Sequence, residues 1–547
     1  TYEIDDTPPF PLNREALGIS IEIALLLKTS IVGELHSTRK QYLDGSIPTG
    51  FQRTAIVGIE GEIPIRNKKI RIIQLSIEED SCREISDIGH ERIYSTDRLG
   101  IPLIETVTYP DMKTPSEAAE AGQYIRFLTR STGKVRTGIG AAREDVNVSI
   151  RGGTRVEIKG VSRIKWIPSL THVEAFRQKA LLEIKKILEE RMKNGPEWDI
   201  KTTPVDNTIL AKAELPLKKG DKVSGIRLPG FRTILSFFTQ PGKTFADELS
   251  ERIKVIACIE KPNIIHDEDS SSKVHDELFK EIYTKTGGED KDAFLIVFGP
   301  AGDIAMAEET IQERCLLAFS GVPNETRKSV NREGKTIFER VLPGPDRMYP
   351  DTDSAPIEIN DNYITELGND LPSDVYDREK IMKSWKIPED TFPYIHVRNI
   401  FPVIKKISEE LSYSPSFVGT IVGHRIKNFD GKNAISSGFD YLRLFDIFKY
   451  CENNGFDSEL VKLMVPVLLE HPNIDPESIL STIKFKKRDK KEIISNIPLL
   501  DKQFNTISKK TDNSAKKRWI MGQLRPIAVG NISLRELSDI INGGGNG

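Results

Sequence analysis

Cysteine is scarce in these 547 residues. Cys82, Cys258, Cys315 and Cys451 lie far apart with no C-x-x-C spacing, which disfavours a disulfide framework and a zinc site alike. No apolar run approaches the ~20 residues that span a bilayer, and no signal-like segment follows Thr1. A cytoplasmic location is the simplest expectation. The phosphate-binding signature G-x-x-x-x-G-K-[ST] is missing, and the G-x-G at Gly138–Gly140 lacks the spacing and strand–helix context of a dinucleotide fingerprint. His36, His90, His172, His266, His275, His396, His424 and His471 are scattered, with no H-E-x-x-H, and there is no G-x-S-x-G. Zinc catalysis and Ser-His-Asp hydrolysis therefore have no support. Excess charge is lacking too: at a net charge of −3, any nucleic-acid contact has to come from a local patch.

What is present is length for several domains and an ordinary globular composition, 38% hydrophobic and 29% charged. The most informative stretch is Arg143–Lys159, REDVNVSIRGGTRVEIK. Val146, Val148 and Ile150 alternate with Asp145, Asn147 and Ser149, and Val156 and Ile158 alternate with Glu157 and Lys159. Two alternating runs around Gly152-Gly153 predict a β-hairpin. Only an odd loop aligns apolar with apolar across it, because a one-residue slip inverts a strand's faces. The expectation is a three-residue turn, a buried apolar face, and a polar face bearing Asp145, Asn147, Glu157 and Lys159. That face is either a working surface or a solvated sheet with an Asp145–Lys159 ion pair.

Upstream, residues 12–30 read as a mostly buried helix and 39–53 as a loop with Arg39, Lys40, Gln52 and Arg53 at its ends. TAIVGIEGEIPI and KKIRIIQLSIEED read as consecutive strands, the second with Ile73, Leu75 and Ile77 on one face and Gln74, Ser76 and Glu78 on the other. Glu105 interrupts the apolar run IPLIETV. A carboxylate there needs a partner or a metal, and Arg98 is one partner within reach. Thr114–Glu117 reads as a capping box opening a helix to about Thr129; Thr171 and Glu174 read as a second, with its helix ending at Asn194-Gly195-Pro196. The polar side of one antiparallel sheet is expected to gather Glu78, Asp145, Asn147, Glu157 and Lys159. Around residue 222 a linker is expected, followed by a helix–strand–helix series that makes a small α/β domain. Residues 343–359 read as irregular. Beyond them the chain is helical, with basic runs at 484–492 and 509–519 that point either to solvated helix faces or to an anionic partner such as RNA. Carboxylates on a sheet face beside Lys and Arg suit Mg²⁺ carrying a nucleotide's phosphates.

Five stretches, RKQYLDGSIPTGFQ, IQLSIEEDS, TDRLGIPLIETVTYPD, REDVNVSIRGGTRVEIK and MYPDTDSAPIEI, resemble in order the catalytic subunits of tRNA-dependent amidotransferases. The insertion at about 223–320 makes the likeness one to the archaeal E type rather than the bacterial B type. The resemblance implies an α+β fold. Its parts would be an antiparallel-sheet cradle similar to glutamine synthetases (1–222 and 321–358) and an inserted domain like that of aspartyl-tRNA synthetases (223–320). A helical domain (359–425) and a tRNA-binding tail (426–547) would follow. It implies ATP- and Mg²⁺-dependent phosphorylation of the glutamyl side chain on misacylated Glu-tRNA(Gln). Ammonia from an asparaginase-like D subunit would then give Gln-tRNA(Gln), in a heterotetramer of two D and two E subunits. Glu78 and Glu105 match the family's metal-ligand positions. Asp145, Glu157 and Lys159 match motif positions, with Arg98 as a further catalytic candidate and Arg39, Lys40 and Lys159 facing nucleotide. Lys486, Lys487, Arg488, Lys516, Lys517 and Arg518 would face tRNA. The family's V-G-L-E-I-H motif would lie upstream of Thr1, so the true start is expected to be missing. The alternative is a non-catalytic tRNA-binding or scaffold subunit.

Overall fold

The computed structural model describes residues 10–138, 140–192, 198–205, 210, 215–269, 273–330, 333–342, 347–433, 435, 438–507 and 513–543. The chain forms two units, Thr1–Ile125 with Ile139–Leu371, and Arg126–Gly138 with Pro372–Gly547.

The first unit opens with α1 (Arg14–Leu26), whose first turn is capped by Asn13 accepting the Ala16 N–H. The short strands β1 (Ser30–Ile31) and β2 (Glu34–Leu35) follow, then β3 (Ser37–Gln41), β4 (Phe51–Ile65) and β5 (Lys68–Glu79). The expected loop at 39–53 is therefore mostly a hairpin, with Arg39 opposite Arg53 and Lys40 opposite Gln52. STRKQ carries no apolar residue, so it has no alternation to read. The two long strands lie where expected, but bulges shift their phase. Ile70 and Ile72 fill the core before the bulge and Leu75 and Ile77 after it, leaving Ile73 as the half-buried extra residue.

A two-stranded ribbon, β6 (Arg83–Ile88) and β7 (Glu91–Ser95), precedes β8 (Pro102–Thr108), which pairs with β5. In α2 (Pro115–Ser131) Thr114 accepts the Glu117 N–H as a capping box requires, while the Glu117 carboxylate takes the Lys113 N–H instead of Thr114's.

The central hairpin is β9 (Glu144–Val148) with β10 (Val156–Val161). Its register is the expected one: Val148 faces Val156, Asn147 faces Glu157 and Val146 faces Ile158. The three-residue turn is not found, and seven residues (149–155) connect the strands. At the tip Ile150 O accepts the Gly153 N–H, with Gly152 at φ +85°. The ladder stops early because Gln178 takes over: its Oε1 accepts the Ile150 N–H and its Nε2 donates to Val148 O. Gln178 belongs to α3 (Ile167–Arg191), which starts earlier than expected. Thr171 is no cap; its hydroxyl bonds back to the Ile167 and Pro168 carbonyls, as Thr does inside helices. The expected stop at Asn194–Pro196 lies outside the described residues.

The expected linker near 222 is a strand. β11 (Lys201–Pro204) and β12 (Asp221–Leu228) pair, and β13 (Phe238–Gln240) and β14 (Lys243–Thr244) form a separate ribbon. Next come α4 (Phe245–Ile256), β15 (Ile264–His266), α5 (Lys273–Thr286), β16 (Ala293–Pro300) and α6 (Ile304–Ser320). These build an antiparallel sheet in the order β11-β12-β16-β15. β17 (Glu325–Ser329) and β18 (Thr336–Val341) then return to the hairpin, making the sheet β18-β17-β10-β9, whose β10–β17 pair is parallel. Residues 343–359 are not wholly irregular: β19 (Met348–Pro350) pairs with β3, and β20 (Ile357–Glu358) with β2. The order β19-β3-β4-β5-β8, with β1 on β4, completes the largest sheet. Asp145 and Glu78 thus stand on different sheets, not on one. The helix α7 (Asp361–Asn369) ends the unit.

Eight charges are buried together in this unit. Arg177, Arg252, Arg314 and Arg327 meet Glu174, Glu248, Glu251 and Glu325, each at most 3% exposed. Arg177 bonds Glu248 and Glu325, Arg252 bonds Glu325 at 2.6 Å, Arg314 bonds Glu248 at 2.9 Å, and Arg327 bonds Glu325 and Glu251. The four positive and four negative groups tie α3 and β17 to α4 and α6.

The second unit is helical: α8 (Val375–Ser384), α9 (Phe392–Val397) and α10 (Phe401–Glu410) begin an apolar core that runs to Ile479. Ile493, Ile520, Leu524, Leu537 and Ile541 form a separate core near the end. No helix among the described residues is long and apolar enough to cross a membrane.

Candidate functional site

The hairpin's apolar side, Val146, Ile158 and Val161, packs on Ile167 and Leu170 of α3. Burying such side chains stabilises by about 1.5–3 kcal/mol each, which holds the polar side outward on a rigid support. On that side Lys159 Nζ stands 3.9 Å from Asp145, and Asp145 also accepts the Gly160 N–H at 3.1 Å. Glu157, opposite Asn147, accepts from Thr326 of β17 at 3.4 Å. The parallel register sets Lys328 beside Lys159.

On the larger sheet, Ser76 faces Glu105 and Glu78 faces Leu103, so Glu78 and Glu105 share one side of adjacent strands, diagonally placed. Thr54 donates to Glu78 at 3.2 Å. Ser76 is fully buried and its Oγ has no partner. Strand alternation gives Lys40 this same side and sends Arg39 to the other. Arg39 is taken up by Asp351 and Asp353 and lies 4.3 Å over the Phe51 ring.

Glu105 links the two sheets. It keeps contact with solvent, yet its carboxyl is pushed up to about 7. Crowding by protein is the largest cause and the charge of Glu78 the next; Lys40 and Lys159 oppose the shift and Asp145 adds to it. The structure thus brings Glu78, Glu105, Lys40, Asp145 and Lys159 into one electrostatic neighbourhood. Sequence reasoning missed one member. Glu339 sits at a bulge in β18, with one carboxyl oxygen buried and unpartnered. Burial raises its pKa against the pull of Lys159, Arg340 and Lys328.

Arg98 stands apart from Glu105's neighbourhood: it donates to Ser81 O and Cys82 O and lies 3.8 Å from Asp80, which also binds Arg143. In the tail, Arg488 pairs with Glu492, Lys490 with Glu536 and Lys516 with Asp501; Lys487 and Lys517 reach backbone carbonyls. Lys486 and Arg518 are exposed. Lys509 and Lys510, from the second basic run, lie outside the described residues.

Among the described residues, no three His, Cys, Asp or Glu side chains stand close enough to hold a metal ion together. An all-protein cage is therefore not what this face offers. Two carboxylates on adjacent strands suit Mg²⁺, which commonly takes one or two carboxylates and completes its shell with water and phosphate oxygens. Two carboxylates that repel each other across adjacent strands gain from any cation set between them.

The chain matches the family described as the GatB/GatE catalytic domain over residues 5–365. It is 32% identical over 554 residues to the E subunit of glutamyl-tRNA(Gln) amidotransferase from Sulfolobus acidocaldarius, covering 98% of this chain and 86% of that protein. With the E subunit from Methanocaldococcus jannaschii the identity is 31% over 544 residues, covering 98% and 86%. With that from Methanopyrus kandleri it is 35% over 438 residues, covering 78% and 68%.

Proposed function

The chain belongs to the GatB/GatE family, and on that premise we propose that it phosphorylates the glutamyl side chain of misacylated Glu-tRNA(Gln) so that ammonia can convert it to Gln-tRNA(Gln). The observation that carries this reading is the placement of Glu78 and Glu105 on one side of adjacent strands, with Asp145 and Lys159 of the second sheet near enough to act on Glu105. A free carboxylate is a poor acyl donor to ammonia. Transfer of the γ-phosphoryl group from ATP to its oxygen makes an acyl phosphate; attack by ammonia nitrogen then forms the C–N bond, releases phosphate and frees a proton.

Glu78 and Glu105 would hold Mg²⁺, which supplies charge neutralisation for the nucleotide phosphates when bound. Lys40 from one sheet and Lys159 from the other set positive charge around Glu105, where negative charge would develop on the transferring oxygens. Asp145 fixes Lys159 and stands ready to accept the proton of the attacking ammonia. Glu157 is held by Thr326 and orients what enters between the sheets. The relatives' names mark them as subunits, which supports a further subunit as the ammonia source, and the family resemblance makes that an asparaginase-like D subunit.

The competing reading is a non-catalytic tRNA-binding subunit, supported by the exposed cations Lys486 and Arg518 of the tail. ATP hydrolysis stimulated by Glu-tRNA(Gln), measured with the ammonia-donating partner present, decides between them. Stimulation is the expected result, and ATP turnover indifferent to the charged tRNA would leave the scaffold reading.

A second expected outcome concerns the tail. Charge reversal at Lys486 and Arg518, which are exposed, is expected to weaken tRNA binding and to flatten its salt dependence by about one unit of slope per lost phosphate contact. Reversal at Arg488, already paired with Glu492, is expected to do less. Filter binding across a salt series checks both; an unchanged slope in all three variants moves the tRNA contact elsewhere.

A further inference from the structure

From Arg126 to Arg143 the sequence holds five cations, Arg126, Arg130, Lys134, Arg136 and Arg143, and no Asp or Glu before Arg143. The first two lie at the end of α2, four residues apart and so on one helix face. Arg130 is only 4% exposed. Its Nη1 and the Nε of Arg126 are both buried and make no hydrogen bond.

The surroundings do not neutralise them. Burial is the main cause that pushes the Arg130 guanidinium down to about 10, and the charges of Arg126 and Arg398, both repulsive, add to it. Arg398 is already committed to Asp430, 3.1 Å away. Arg378, 3% exposed, donates to the neutral Ser373 Oγ and Asn399 Oδ1 and has the charge of Asp374 nearby. Asn399 in turn donates to Ser131 O at 3.2 Å, fastening the end of α9 to the end of α2.

A buried arginine ordinarily has a carboxylate, as all four in the first unit's cluster do. The negative end of the α2 dipole is the other available offset. It amounts to roughly half an elementary charge spread over the last turn, too little for guanidinium groups taken out of water. An unpaired buried cation of this kind costs stability, and an anion that supplies oxygens to the fork-shaped guanidinium relieves that cost.

We propose that Arg126 and Arg130, flanked by Arg378 and Arg398, form a binding site for a phosphate group, either a backbone phosphodiester of bound RNA or the phosphate of a small molecule. The RNA form rests on the functional reading above; the phosphate chemistry does not.

The test is thermal unfolding of the full chain in inorganic phosphate against sodium chloride at equal ionic strength. Wild type is expected to melt higher in phosphate, since a ligand that binds only the folded state raises its stability. Arg130→Met is expected to melt higher than wild type in chloride, because it removes an unpaired buried charge, and to lose the phosphate response. Arg126→Gln, at a more accessible position, is expected to lose that response even if Arg130→Met does not fold. A phosphate response absent from wild type, or kept at full size in Arg126→Gln, overturns the proposal. So does an Arg130→Met variant that folds but melts lower than wild type.

Filter binding with tRNA then distinguishes the sources. Roughly tenfold weaker binding by Arg126→Gln, the worth of one charge-assisted contact, assigns the site to a phosphodiester. Unchanged tRNA binding with a lost phosphate response assigns it to a small-molecule phosphate. tRNA-stimulated ATP turnover by wild type tests the functional reading separately.

Discussion

On the proposed function, Glu105→Ala is expected to lower ATP-dependent activation of Glu-tRNA(Gln) by roughly 10³-fold, the several kcal/mol expected when one of two proposed metal-holding carboxylates is removed. Glu78→Ala is expected to do the same, with tRNA affinity within about twofold of wild type in both. The two carboxylates stand on one side of adjacent strands, far in sequence from the basic runs proposed to contact tRNA. Arg98→Ala is a useful comparison, because that side chain serves the Ser81 and Cys82 carbonyls and the Asp80 carboxylate beside β5. Single-turnover phosphoryl transfer, read alongside tRNA filter binding, checks the split. Wild-type transfer in either glutamate variant removes that residue from the metal site.

The second large effect is on stability. Glu325→Gln leaves Arg177, Arg252 and Arg327 facing a neutral amide in the buried cluster. Breaking one partner out of a buried ion network costs about 3–5 kcal/mol, because the remaining charges are left uncompensated. Urea unfolding measures it, and a midpoint within error of wild type would mean the cluster re-pairs. The cluster also sets an acid limit. Burial pushes Glu325 up, but Arg177, Arg327 and Arg252 overcome it and bring the carboxyl from 4.5 down to about 2. A carboxylate with a depressed folded value stabilises fully above about 4.5, and that stability is lost as pH falls toward 2. Because Glu248, Glu251, Arg252 and Arg314 come from within 223–320, excising that segment is expected to unfold the first unit, not merely to alter tRNA choice.

The sequence made some of this legible and hid the rest for definite reasons. The register of the hairpin followed from alternation, since only one pairing puts Val146 opposite Ile158. Its turn did not, because Gln178, some thirty residues away, takes the hydrogen bonds that would have extended the ladder. Glu78 was placed on the correct side of its strand. Glu339 escaped notice because β17 and β18 return to the hairpin after more than 160 intervening residues, and a parallel pairing carries no local turn signal. The buried cluster was invisible for another reason: DELSER and IQERC read only as parts of helices, and it takes tertiary packing to show that Glu248, Arg252 and Arg314 are buried.

One measurement bears most directly on the central claim: a crystal structure with Mn²⁺ and a non-hydrolysable ATP analogue, the ion located by its anomalous scattering. The expected result is an ion about 2.0–2.3 Å from carboxylate oxygens of both Glu78 and Glu105, with phosphate oxygens completing its shell. An ion bound to the analogue but touching neither glutamate would contradict it.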